Sequence, residues 1–181
     1  LSLIPGRPGN ILRVGYYKLT TAGFATDSYM GFGSFIAKPT ARVGRNVSIG
    51  AYSIIGGAII EDDVLIASRC SIMSGKYQHV DYLRRDGAPE ADTDGVRIGR
   101  SSWIGENCVI MTRVGSNCVV SAGSVVTRPM AAGLTVIGNP ARPIRMASQQ
   151  HPSAAGPDRA VRPPERSEPV KQGVSHDSIR P

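Results

Sequence analysis

From Val43 onward an aliphatic residue returns every six positions, often followed by glycine, with a small or β-branched residue at the fifth place. The units read VGRNVS from Val43, IGAYSI from Ile49, a shortened IGGAI from Ile55, IEDDVL from Ile60 and IASRCS from Ile66. They resume as IGRSSW from Ile98, IGENCV from Ile104, a short IMTR from Ile110, VGSNCV from Val114 and VSAGSV from Val120, before Val126. A period of two would explain single strands in a sandwich, but not an aliphatic return every six residues across two long stretches. A six-residue period makes each unit one flat side of a coil. The aliphatic residue points into a shared interior, and stacked coils bury one another's faces. One unit alone buries nothing, so the repeats stand or fall together. The expected fold is all-β, a hexapeptide-repeat solenoid.

The rest of the chain fits around that solenoid. Hydrophobic residues make up 41% and aromatics only 6%, so the core must be aliphatic. Cys70, Cys108 and Cys118 all fall at the fifth place of their units, alongside Val47, Ser53, Ser102 and Ser124. A free cysteine packs there as a small hydrophobe, which argues against a nucleophilic role. An odd number of cysteines without a C-x-x-C pair points to reduced thiols and a cytoplasmic setting. The opening LSLIPGRPG is too quickly interrupted for a signal peptide, and no apolar run is long enough for membrane insertion. The net charge of +7 is scattered without interleaved aromatics, so an anionic small molecule suits it as well as nucleic acid, and no nucleic-acid partner is expected. Residues 1–29 read as an N-terminal cap with a loose helical pattern at Ile11, Val14, Tyr17 and Leu19. Residues 30–146 form the repeat domain. Residues 147–181 are proline-rich, with only Val161, Val170, Val174 and Ile179 as large aliphatics, and are expected to be a disordered tail.

The repeat breaks once at length, between Ile72 and Ile98, where residues 73–95 form an excursion loop. Long loops in compact domains are often functional. This one contains His79, while His151 and His176 lie in the tail. Histidine's ordinary pKa, near 6.5, lets it accept a proton close to neutral pH.

The repeat, the loop and the motifs VRIGRSSWIG, VSAGSVVTR and IGNPARPIR together resemble the hexapeptide-repeat acyltransferases. The nearest groups are the galactoside, maltose and serine O-acetyltransferases and relatives in surface-polysaccharide biosynthesis, over residues 30–146. The resemblance implies a left-handed parallel β-helix of triangular section, a homotrimer, and active sites in clefts between subunits. It implies acetyl-CoA as donor, no metal, and direct attack on the thioester by an acceptor hydroxyl, with a sugar the expected acceptor.

On that resemblance His79, shortly after Ser74-Gly75, takes the role of general base. An acid would orient its ring, Asp81 being nearest in sequence and Asp92 and Asp94 also placed for it. Cofactor contacts carry over to Ala122, Thr127 and Arg128 in SAGSVVTR and to Arg142 and Arg145 in NPARPIR, with Trp103 and Gly105 lining the cleft. Amides around Trp103-Ile104-Gly105 are candidates for holding the oxyanion. Arginine suits the phosphates because its planar fork meets two oxygens at once. Glu106 departs from relatives that carry a small residue there, and IMTR is two residues short, which leaves the acceptor open. The alternatives are an amino-sugar N-acetyltransferase on the same fold and a non-catalytic β-helix scaffold. A zinc enzyme of this fold would need several histidines.

Overall fold

The computed structural model describes residues 1–75 and 95–144. A helix, α1 (Gly6–Thr20), leads into strands of two or three residues each. The strands are β1 (Gly23–Phe24), β2 (Tyr29–Met30), β3 (Phe35–Ile36), β4 (Arg42–Val43), β5 (Ser48–Ile49), β6 (Ile54–Ile55), β7 (Ile59–Ile60) and β8 (Leu65–Ile66). They continue as β9 (Ser71–Ile72), β10 (Arg97–Ile98), β11 (Trp103–Ile104), β12 (Val109–Ile110), β13 (Val119–Val120), β14 (Val125–Val126), β15 (Thr135–Ile137) and β16 (Arg142–Ile144).

Every third strand stacks on the one before. The first face runs β1-β4-β7-β10 and continues through single bridges from Ile98 to Val114 to Met130. The second runs β2-β5-β8-β11-β13-β15, and the third β3-β6-β9-β12-β14. All these pairings are parallel; β16 alone folds back antiparallel on β15. The chain is therefore a parallel β-helix, one lap per three units, as the hexapeptide period requires. The first lap, β1 to β3, uses Phe24, Met30 and Ile36 inward and precedes Val43, the first unit legible in the sequence.

Each unit works by the same division of labour. Its first residue points inward, and Ile49, Ile55, Ile66, Ile72, Ile98, Ile104 and Ile110 are almost wholly buried. Glycine at the second place lets one lap sit on the next: a Cβ on Gly105 would lie 2.5 Å from the amide nitrogen of Ala122. The fourth place turns the corner with a positive φ, at Asn46, Tyr52, Asp63, Arg69, Ser101, Asn107 and Asn117. The fifth place is small and buried, and its polar members are satisfied between laps. Ser34 Oγ donates to the Gly50 carbonyl at 2.6 Å and accepts from the Ser53 amide at 2.8 Å; Ser102 does the same with Gly115 and Cys118.

The helix covers the start of the solenoid. Its buried side is Gly9, Arg13, Val14 and Tyr17. Val14 and Tyr17 fit the helical pattern in the sequence, but Ile11 and Leu19 face outward, 69% and 86% exposed. Arg13 takes their place beneath the helix because its charge is spent on carbonyls. Its Nε donates to Met30 O at 3.0 Å and its Nη1 to Ile4 O at 2.8 Å.

Candidate active site

Corner lengths locate the irregular part of the prism. From the first face to the second, and from the second to the third, successive inward residues are always six apart: Val43, Ile49 and Ile55 are one example, Ile98, Ile104 and Ile110 another. From the third face back to the first the spacing varies. Ile36 to Val43 is longer by one, Ile55 to Ile60 shorter by one, and Ile110 to Val114 and Val126 to Met130 shorter by two. The excursion between Ile72 and Ile98 leaves from this same edge. At its root the Ser74 hydroxyl accepts the Gly57 amide at 2.8 Å, and Gly95 returns beside the carbonyls of Gly57 and Ser74.

His79 and Asp81, with Asp92 and Asp94, lie outside the described residues, as does Arg145. The other sequence-derived positions fall in three places. Gly105 and Ala122 stack on each other at the edge between the second and third faces. Ala122 is exposed, and its amide makes no hydrogen bond within the described residues, which leaves that donor unspent by the ladder. Gly105 is buried and its amide donates to Val120 O at 2.8 Å. The Trp103 amide likewise donates to Cys118 O at 2.8 Å. Neither amide is free to hold an oxyanion, because the ladder between laps consumes both. The Trp103 side chain stands outward on the second face, 48% exposed, between Leu65 and Val119 in register. Beside Gly105, Glu106 pairs with Arg69 at 3.1 Å, so its charge is already matched.

Thr127 and Arg128 occupy the last short corner of the variable edge. Arg128 and Arg142 meet there on one cavity of about 170 Å³ at the open end of the solenoid. Val126, Met130, Leu134 and Val136 form its apolar wall. Among the described residues Arg142 Nη1 reaches the neighbouring Ala141 carbonyl alone, at 3.1 Å, and Arg128 has no partner. The pair can therefore offer charge to an anion over an apolar floor. Met130 and Val136 were not singled out in the sequence; their signal was that they are the last inward positions before the repeat ends, six apart as elsewhere.

The thiols do nothing at this site. Burial pushes the Cys70 thiol up to about 11 and raises that of Cys108. Cys70 Sγ donates to Gly105 O at 3.1 Å. Among the described residues no three acidic, cysteine or histidine side chains gather as a metal site.

A triangular prism of stacked six-residue units, with glycine at the tight crossings, is the hexapeptide-repeat fold. The family model described as the hexapeptide repeat of succinyl-transferase matches residues 40–72 and 95–128, the two stretches that build the laps on either side of the excursion. It is similar to 2,3,4,5-tetrahydropyridine-2,6-dicarboxylate N-acetyltransferase of Staphylococcus aureus, 29% identical over 115 residues covering 59% of this chain. The chain spans about a third of the length of the curated relatives it matches, 33% in that case. Among solved structures, serine acetyltransferase of Neisseria gonorrhoeae superposes with a TM-score of 0.50 at 26% identity, over 66% of this chain and 43% of that one. A hexapeptide-repeat-containing acetyltransferase of Vibrio cholerae, complexed with acetyl coenzyme A, shares the fold with a TM-score of 0.61 at 24% identity, over 76% and 78% of the two chains. A maltose O-acetyltransferase of Clostridium difficile does so with 0.57 at 23% identity, over 75% and 74%.

Proposed function

We propose that this chain is an acetyl-CoA-dependent O-acetyltransferase acting on a hydroxyl of a sugar or related small acceptor, in surface-polysaccharide biosynthesis in the cytoplasm. The observation that carries the reading is the pair Arg128 and Arg142 on an apolar cavity at the end of a hexapeptide-repeat prism. CoA is long and thin, with anionic phosphates at one end. It asks for cations at one point and backbone donors along an edge, and the open Ala122 amide supplies one such donor. Thr127 and Arg145 flank the same arginines in sequence. The names borne by the relatives, all acetyltransferases, support the same donor.

His79, on the excursion loop, acts as general base, oriented by Asp81. It takes the proton of the acceptor hydroxyl as that oxygen attacks the thioester carbonyl. The C–S bond breaks, the acetyl group passes to the acceptor, and the thiolate leaves as CoA-SH once it takes up the proton. The loop leaves from the edge between third and first faces, while Gly105 and Ala122 lie on the edge between second and third. Arg128 shares the loop's edge while Ala122 lies on another, so the cofactor positions span two edges, and a homotrimer with its sites between subunits is the assembly expected from the family resemblance.

A second reading is N-acetylation, favoured by the curated relatives' own designation as N-acetyltransferases. One experiment separates these readings and a non-catalytic scaffold. Acetyl-CoA turnover is followed by free-thiol release over sugars, amino sugars and serine, with His79→Ala beside the wild type. Turnover with hydroxyl acceptors, reduced about 10²–10⁴-fold in His79→Ala while CoA still binds, is the expected result. Turnover with amines alone assigns the N-transfer; absence of CoA binding by the intact chain leaves the scaffold.

A further inference from the structure

We infer that the outer side of α1, with the segment before it, docks on an anionic lipid surface. Leu1, Leu3, Ile4, Ile11, Leu12, Tyr16 and Leu19 are all exposed, a concentration of large apolar side chains within nineteen residues. On the 3.6-residue turn, Ile11, Leu12 and Leu19 share the side away from the buried Gly9, Arg13, Val14 and Tyr17, and Tyr16 stands at its border, its ring edge-on to Tyr17. The exposed cations Arg7 and Lys18 lie along one flank of that apolar side, and residues 1–26 contain no acid. An apolar stripe bordered by cations without acids is the composition of a helix that lies in a lipid headgroup layer.

The patch is also held rigid. Arg13 Nη1 donates to the carbonyls of Leu1, Ser2 and Ile4, at 3.3, 3.4 and 2.8 Å, which ties the leading segment to the helix. Gly9 makes this possible, since any Cβ there would collide with the Ile4 carbonyl oxygen. Charge decides the occupant. Two copies meeting through this side would set Arg7 and Lys18 against their equivalents, with no acid on the helix or the segment before it to offset them. An anionic bilayer takes both the apolar side chains and the cations. The docking is peripheral: among the described residues no helix is long and apolar enough to cross a membrane. The inference does not depend on the catalytic reading.

The test uses the full chain in co-sedimentation with vesicles of phosphatidylcholine alone or mixed equally with phosphatidylglycerol. The wild type is expected to pellet with the anionic vesicles and remain largely in solution with the neutral ones. Ile11→Ser/Leu19→Ser should weaken anionic-vesicle binding by about tenfold or more, and Arg7→Glu/Lys18→Glu by a similar factor. These side chains are exposed, so thermal melts should match the wild type and exclude misfolding. Three results overturn the inference: wild type that stays in solution with both vesicle types, variants that pellet like the wild type, or a molar mass by light scattering that falls in Ile11→Ser/Leu19→Ser. The last would make this side a contact between copies.

Discussion

Cys70, Cys108 and Cys118 occupy the most confined place in the repeat, each fully buried where neighbouring laps meet. A thiol held near 11, as at Cys70, stays protonated through the neutral range, and the thiolate is the reactive form. Native protein at pH 8 should therefore resist a thiol reagent such as dithionitrobenzoate over the time in which denatured protein titrates all three. Arg128 and Arg142 behave differently, being exposed and without acidic partners among the described residues. Arg128→Ala and Arg142→Ala should raise the KM for acetyl-CoA about tenfold each while changing kcat less, because the loss falls on phosphate binding rather than on the transition state. Sequence position gave the cysteines their role correctly, since the fifth place accepts only what is small. It did not reveal that the Gly105 and Trp103 amides are consumed. Which backbone groups the ladder spends depends on the register between laps, and no local spelling records that.

The elements differ in how much variation they allow. At the two regular edges, inward residues six apart stack in register through five strands of the third face. Adding one residue between Gly105 and Cys108 would turn Ile110 outward and expose a core position on one lap while crowding the next. Such an insertion is expected to abolish cooperative thermal unfolding. Two residues added within Met111–Arg113, on the variable edge, restore the usual spacing and should shift the melting temperature little. Gly105→Val offers a milder probe: its side chain would press on the Ala122 backbone, a crowding worth about 1–3 kcal/mol by urea denaturation. The laps from Val43 were legible because every unit there begins with isoleucine, valine or the like. The first lap was not, because Phe24 and Met30 replace the usual aliphatic and an extra residue separates Ile36 from Val43. The buried side of α1 was misread for a related reason. A core arginine bonded only to carbonyls looks, in sequence, like a surface charge.

For the molecule as a whole, the described ion pairs run between laps along the prism. Glu61 bonds Arg97 Nε at 2.7 Å and the Arg100 amide at 2.9 Å, and Asp62 bonds the Arg45 amide at 2.8 Å. The hydrogen bond from Arg97 holds the Glu61 carboxyl below its ordinary 4.5, and the Arg45 amide does likewise for Asp62. In acid the unfolded chain then binds more protons than the folded one. This contribution is full above about pH 4.5 and fades as the pH falls through the lowered values. Melting temperatures at about pH 6 and pH 3.5 should show a smaller acid loss in Glu61→Gln than in the wild type, and an equal loss would remove Glu61 from the account.

The single variable edge has a consequence for how such molecules diverge. Two edges are fixed by stacking, but the third already holds corners of several lengths and one excursion of more than twenty residues without disturbing the laps on either side. A lineage built on this prism can exchange, lengthen or lose the excursion while the scaffold's stability is left almost untouched. New specificities then arise by insertion along one seam, rather than by substitutions that the core must absorb.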